Sequence, residues 1–455
     1  MKDDIVKIPR VLLPNEDVDL KKWAVIACDQ FTSQGQYWQQ LKEYCGEVSA
    51  LNIIFPEYYL ERGNMEERIQ SINAYMQKYL SEGVFREVDG VILTERTTIY
   101  GHKRTGILLA LDLDQYDFTT GKLPIRATEA TVKERLPVRL RIRENALLEL
   151  PHVLILIDDE EKTVVERARA SVTEDDLLYS TELNMKGGSV KGYLLKDPKP
   201  VLDALLALAD EDRMVRRYGD ATPFLFAVGD GNHSVATAKL LWERIKPGLT
   251  ESEREHHPAR YVLAEVGNLY DDDLVFEAIH RVIFGAGESF IKEMAASLSG
   301  EGHVTLLYRG EMYGVSVPRV AAEAVKAVQE FIDKYTAAHE GVSVDYIHGD
   351  DNLAEVAAAR DGVAIFMPVM EKSDLFPYVV KHGSLPRKTF SMGEAEEKRY
   401  YLASTTPISK PILKLMNTSA RSPTTVVTEL LSIDENAPAH ASFIALFGSS
   451  FFFIS

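Results

Sequence analysis

The chain has 455 residues, 45% of them hydrophobic, which suits two or three packed units with substantial cores. Its formal net charge of -18 works against nonspecific binding to DNA or RNA, which needs a basic face. The two cysteines, Cys28 and Cys45, stand in neither a CxxC nor a Cys/His zinc spacing, so a disulfide framework and a structural zinc are not expected.

No run of about 18 apolar residues occurs, so no membrane-spanning helix is expected. The charged start Met1-Lys2-Asp3-Asp4 has no apolar stretch behind it, which is not the pattern of a signal peptide. With cysteines suited to a reducing compartment, the expectation is a cytoplasmic protein without membrane or nucleic-acid partners.

In chain order, Ile8 to Pro14 reads as extended, and Trp23 to Cys28 as a buried strand ending at Asp29. Apolar periodicity predicts helices over Tyr37 to Glu47 and Met65 to Leu80. Gly90 to Thr97 and Gly106 to Leu113 read as strands joined by a turn at Tyr100 to Lys103, an antiparallel pair. Arg126 to Asn145 is densely charged, with Arg135, Arg139, Arg141 and Arg143. A strand at Val153 to Ile157 and a helix at Glu160 to Ala170 follow, then a hairpin turn at Lys186 to Ser189 and a helix from Pro200 to Leu208.

The sharpest local pattern is Pro223 to Val228, a short apolar strand broken by Gly229-Asp230-Gly231. Asn232 or Ser234 then caps a helix from Val235 to Ile245, which stops before Pro247-Gly248. Tyr261 to Val266 is another strand. A helix from Pro318 to Lys334, a strand at Val363 to Met367 and a loop at Gly383 to Lys388 complete the ordered pattern. Antiparallel strands interspersed with helices make the expected class α+β, with mixed, largely antiparallel sheets and packed helices. Pro407 to Ser455 lacks clean periodicity and ends in Phe451-Phe452-Phe453-Ile454-Ser455. Residues 403–455 are therefore expected to be a non-native or poorly ordered tail, the reading frame having been lost near Leu402.

Four constellations carry candidate chemistry. A strand that breaks at glycines and enters a helix exposes backbone N–H groups, and these with the helix dipole favour an anion, phosphate above all. In Gly229 to Ser234, Gly229 and Gly231 let a ligand approach the backbone, Asp230 is a metal candidate, and His233 a phosphate or proton-handling candidate. The same pattern also serves an ordinary capped turn. The second constellation is Arg126 to Thr131 with Arg135 and Arg139 downstream, where Glu129 is a candidate base or magnesium ligand. The third is His280-Arg281, which follows the acidic run Asp271-Asp272-Asp273. The fourth is Leu385 to Phe390, where Lys388 and Thr389 are candidates to neutralise and bind phosphate. No Walker A loop, GxSxG elbow, HExxH or Rossmann fingerprint is present.

At these residues the chain resembles a family catalogued as domain of unknown function 1015, from about Ile8 to Leu402. The resemblance is carried by Trp23 to Ser33, Arg104-Thr105-Gly106, Arg126 to Thr131, Gly229 to Ser234, His280-Arg281 and Leu385 to Phe390. The Asp-Gly-Asn-His stretch also resembles the phosphate-binding box of ParB-like and sulfiredoxin-like folds, on which free serine kinases are built. The resemblance implies a ParB/sulfiredoxin-like core over residues 86–285, with an N-terminal α/β segment over 1–85 and a C-terminal one over 286–402. It further implies a phosphotransferase acting on serine or phosphoserine with ATP or ADP and Mg2+, and phosphate contacts at Gly231, Asn232, His233 and Ser234. The ParB-type box has an arginine where this chain has Ser234, so the positive partner must come from Arg135, His280, Arg281 or Lys388. A phosphatase and a nucleotide-binding switch are the alternatives, and a homodimer is allowed for among the partners.

Overall fold

The structure, a computed structural model, describes residues 5–118, 122–150, 152–393 and 395–405. The fold is α+β. Among the described residues the larger sheet has nine strands, in the spatial order Ile125–Ala127, Phe226–Asp230, Leu154–Ile157, Tyr261–Asn268, Lys103–Asp112, Ile92–Thr97, Ser189–Leu194, Leu177–Glu182, with Val6–Lys7 attached to Lys103–Asp112. Two of its pairings are parallel, Phe226–Asp230 with Ile125–Ala127 and Tyr261–Asn268 with Leu154–Ile157, and the others are antiparallel. The six-stranded sheet runs Glu311–Val317, Gly302–Tyr308, Val363–Phe366, Phe276–Phe284, Ser343–His348, with Phe390–Met392 paired to the start of Phe276–Phe284.

Side chains alternate across a strand, so a strand buried on both faces reads as an unbroken apolar run. Ile155, Ile157, Phe226 and Val228 face one core, shared with Val235, Ala238 and Trp242 of the helix Asn232–Ile245. Leu156 and Ala227 face the opposite core, with Phe276, Phe376, Phe390 and Met392. The second sheet has its own core against the helix Ala321–Ala338, whose Val325, Val328, Ile332 and Tyr335 recur at helical spacing.

Several boundaries differ from expectation, each for a local reason. Asp19 accepts from the N–H groups of Lys21 and Lys22 and starts a short helix, Leu20–Trp23. The strand after it is therefore only Val25–Ile26, paired with Tyr400–Tyr401. Asp159 binds Thr163 Oγ1 at 3.1 Å and Val164 N at 2.8 Å, tying down the loop, so the next helix starts at Val165 and not at Glu160. The apolar strand continues through Gly229 to Asp230, and the following helix begins at Asn232. Neither Asn232 nor Ser234 caps it. Gly231 holds the N-cap position with φ 84°, and no side chain caps the helix.

At the C-terminal end, Ser404 bridges to Leu12 and Thr405 to Glu149, and Ala403 and Ser404 are buried. Most of the expected non-native tail, from residue 406 onward, lies outside the described residues. Among the described residues no helix is long and apolar enough to cross a membrane.

Candidate active site

The parallel pairing of Ile125–Ala127 with Phe226–Asp230 aligns Ala127 with Val228. Both strands therefore end at the same edge, and the two charged motifs that follow them, Glu129 and Asp230-Gly231-Asn232-His233, come side by side. Thr128 Oγ1 donates to Val228 O at 2.6 Å and locks the two strand ends together. A third segment closes the group. Leu385 donates its N–H to Thr128 O at 2.6 Å, and the Lys388 N–H donates to Glu129 Oε1 at 3.2 Å. Lys388 adopts φ 59°, an uncommon value outside glycine, to present that N–H.

The helix N-terminus behind this edge has no side-chain cap, and Gly231 cannot supply one. Its first N–H groups are the orphan donors of any helix start, and they carry the positive end of the dipole. The Asn232 Oδ1 atom is buried without a hydrogen-bond partner. The two glycines play different parts. A side chain at Gly231 would be strained at φ 84° and would press on Val153, whereas at Gly229 the space is already filled by Met392 and Leu156.

Charge at this edge is mixed and close. Burial pushes the Glu129 carboxyl up, and the negative charge of Asp230 adds to it, against the opposing pull of Lys388. Burial works in the same direction on Asp230. There it is outweighed by Lys398 and His152 and by hydrogen bonds from Lys398 and Gly231, so the Asp230 carboxyl sits below the usual range. Lys398 Nζ lies 3.3 Å from Asp230 Oδ2, and the Gly231 N–H donates to Oδ1 at 2.9 Å. His152 in turn lies 3.6 Å from Asp29 Oδ2 and 2.9 Å from the Tyr401 hydroxyl.

Burial and the neighbouring Arg139 and Arg135 push His233 down to about 4, so the ring is neutral near pH 7. Its Nε2 accepts the Val132 N–H at 3.3 Å, which leaves the proton on Nδ1. His233 is thus a hydrogen-bond donor in a cationic setting rather than a group poised to exchange protons. Arg139 is paired with Glu57, while Arg135 is exposed with no ion pair among the described residues.

The remaining candidates fall elsewhere. Arg281 is 0% exposed, and burial lowers it to about 10. Its guanidinium donates to Gln329 Oε1, Ile279 O and Lys388 O, so it braces the Lys388 loop from inside. His280 is 5% exposed, accepts from the Met367 N–H at 3.0 Å and bonds Asp350 at 2.8 Å. Both ring nitrogens are engaged within the protein. Thr389 is fully buried and donates its hydroxyl to Pro386 O at 2.6 Å. Ser234 is half-buried on the first turn of the helix.

Sequence reasoning missed Lys398, His152 and His348. The Lys398 and Lys388 charges act on His348, which burial already lowers, so the end of strand Ser343–His348 also faces this edge. None of the three stands in a recognisable spacing with the strand-end motifs.

A family model described as "Protein of unknown function (DUF1015)" matches residues 11–414. No curated protein matches the chain. Among solved structures, a free serine kinase in complex with AMP is similar with a TM-score of 0.33 and 10% identity, covering 67% of this chain and 88% of that one. A conserved hypothetical protein from Pyrococcus furiosus has a TM-score of 0.33 and 10% identity, covering 66% of this chain and 95% of that one. SbnI with a C-terminal truncation, from Staphylococcus aureus, has a TM-score of 0.32 and 10% identity, covering 74% and 99%.

Proposed function

The chain belongs to the DUF1015 family of proteins of unknown function, and on the geometry of its strand-end site we propose that it is a phosphotransferase acting on free serine, or on phosphoserine in reverse, with ATP or ADP. The observation that carries this reading is the meeting of Glu129 and Asp230, at the ends of two parallel strands, beside an uncapped helix N-terminus.

Phosphoryl transfer asks mainly for positioning and charge neutralisation. The first turn of the helix, Asn232 to Ser234, holds the transferred phosphate through backbone N–H groups. The His233 Nδ1–H and the Asn232 carboxamide NH2 orient it, and Arg135 and Lys388 neutralise it. Glu129 takes the proton from the attacking hydroxyl. Its raised proton affinity makes it a stronger base than an ordinary glutamate, and the Lys388 N–H fixes its direction. Arg281 and His280 are positioning residues in this account, since their polar atoms are spent inside the protein.

Magnesium fits as an ion brought by the nucleotide. Among the described residues no group of three or more His, Cys, Asp or Glu side chains could hold a metal. Magnesium, however, commonly uses one or two carboxylates with phosphate oxygens and water. Asp230, ionised and beside the phosphate-binding turn, would hold it, and the ion would supply charge neutralisation at the phosphates.

The test follows phosphate, serine and ATP together after mixing the protein with magnesium and phosphoserine, with and without ADP. ATP formed with serine, and only in the presence of ADP, is the expected result. Free phosphate without nucleotide would replace this reading with a phosphatase on the same scaffold. No product from folded protein, with nucleotide-dependent dimerisation, would replace it with a binding switch.

A further inference from the structure

The stretch Trp23 to Ser33 is the longest of the motifs that carry the family resemblance, and phosphate handling alone leaves it without a part. Its backbone brings it to the site. Val25 and Ile26 pair with Tyr401 and Tyr400, and the Ala27 N–H donates to Arg399 O at 2.8 Å. The segment therefore lies along the same crossing chain that carries Lys398 to Asp230. The Cys28 N–H donates to the Tyr401 hydroxyl at 3.1 Å, and Cys28 O accepts the Glu57 N–H at 2.7 Å. Glu57 is in turn the carboxylate paired with Arg139. Asp29 is thus fixed from two sides. Two residues on, the chain turns away at Phe31, whose φ of 50° is uncommon for a bulky residue.

Asp29 is held differently from the other two carboxylates of this edge. Glu129 accepts the Lys388 N–H, and Asp230 is closed by Lys398 and the Gly231 N–H. The Asp29 side chain is 27% exposed, and its Oδ2 faces His152 Nε2 across 3.6 Å, beyond hydrogen-bond length. Its Oδ1 accepts the Gln30 carboxamide N–H at 3.0 Å. Among the described residues no lysine or arginine pairs with it and no N–H donates to Oδ2. On His233, which burial and the charges of Arg139 and Arg135 push down, the Asp29 charge acts in the opposite direction. Asp29 therefore lies within electrostatic reach of the phosphate-binding turn.

A site that holds phosphate with a helix N-terminus, Arg135 and Lys388 repels an ammonium group, so a substrate that carries one needs an anion beside it. We infer that Asp29 binds the ammonium of the amino-acid substrate and so selects an α-amino acid over the same molecule without its amino group. The inference rests on the phosphotransferase reading, which supplies the hydroxyl that meets Glu129 while the ammonium is held at Asp29. An ammonium brings three N–H donors, and a carboxylate oxygen open to solvent can accept one as a charge-assisted bond.

Calorimetry on the full chain, with and without ADP, compares L-serine with 3-hydroxypropanoate, which is serine without its amino group. The wild type is expected to bind L-serine roughly 10- to 100-fold tighter, the scale of one hydrogen bond between charged groups. Asp29→Asn and Asp29→Ser, each checked for an unchanged melting temperature, are expected to bring the two compounds to near-equal affinity. A disturbed fold would weaken both compounds together and leave their ratio as it was. Equal affinity in the wild type, no binding of L-serine, or a ratio that the variants keep overturns the inference, and the first two need no variant. A preference for L-serine that depends on Asp29, without any phosphate transfer, would sustain the ammonium site and sink the phosphotransferase. Transfer to L-serine with the ratio kept in both variants would do the reverse.

Discussion

His233 shows how much a single setting changes a residue's chemistry. Its folded value of about 4 lies below the ordinary 6.5, so the unfolded chain binds the extra proton first. The stability this neutral ring contributes is complete above about pH 6.5 and is lost as pH falls toward 4. An NMR titration of the His233 ring is expected to find its midpoint near 4, and a midpoint near 6.5 would mean that neither burial nor the neighbouring arginines act on it. Lys398 is the other decisive residue. Lys398→Met removes the largest influence that keeps Asp230 ionised against burial. Turnover is expected to fall roughly 10- to 100-fold, the scale of a hydrogen bond between charged groups, and Lys398→Arg should recover most of it. Similar kinetics for both variants would show that the Asp230 charge is idle. The Asp230 motif was legible in the sequence because a strand, glycines and a helix leave a local pattern. Lys398 was not, since nothing local marks a lysine far along the chain as the partner of that carboxylate.

At the scale of elements, the turn at Gly231 carries the site. Its left-handed backbone starts the helix without a capping side chain, which leaves the first N–H groups open. Gly231→Ala is expected to cost about 1–2 kcal/mol in chemical denaturation, the usual penalty for a left-handed alanine, and to suppress transfer as the turn distorts. Gly229→Ala meets the flexible end of Met392 at 2.9 Å instead and should cost less. The reverse order would place the strain at the wrong glycine. This start was read from the sequence as a side-chain cap at Asn232 or Ser234, because such residues usually cap helices. A left-handed glycine can instead start a helix while leaving its first N–H groups unsatisfied, and no local pattern distinguishes the two starts. The same limit applies at Trp23, where a short helix started by Asp19 takes in the first residue of an apolar run that reads as a strand.

For the whole molecule, the α+β class and most element positions followed from apolar periodicity, whereas strand order did not. Nothing local says that Ile125–Ala127 runs parallel to Phe226–Asp230, yet that one pairing assembles Glu129 and Asp230. The segment from Lys398 to Thr405 closes the molecule by pairing with the strand Val25–Ile26, with Leu12 and with Glu149. Truncation after Thr405 is accordingly expected to keep the melting temperature and the activity, while truncation after Glu397 should lose both. Retained folding in the shorter chain would show that this closure is dispensable. The most direct test of the account is the rate of phosphate transfer between nucleotide and serine by Glu129→Gln, beside the wild type, across pH. A fall of roughly 10²–10⁴-fold is expected, the usual contribution of a general base, with a wild-type rate that rises with pH through a midpoint above that of an ordinary glutamate. A near wild-type rate in Glu129→Gln, with the same pH profile, would contradict it.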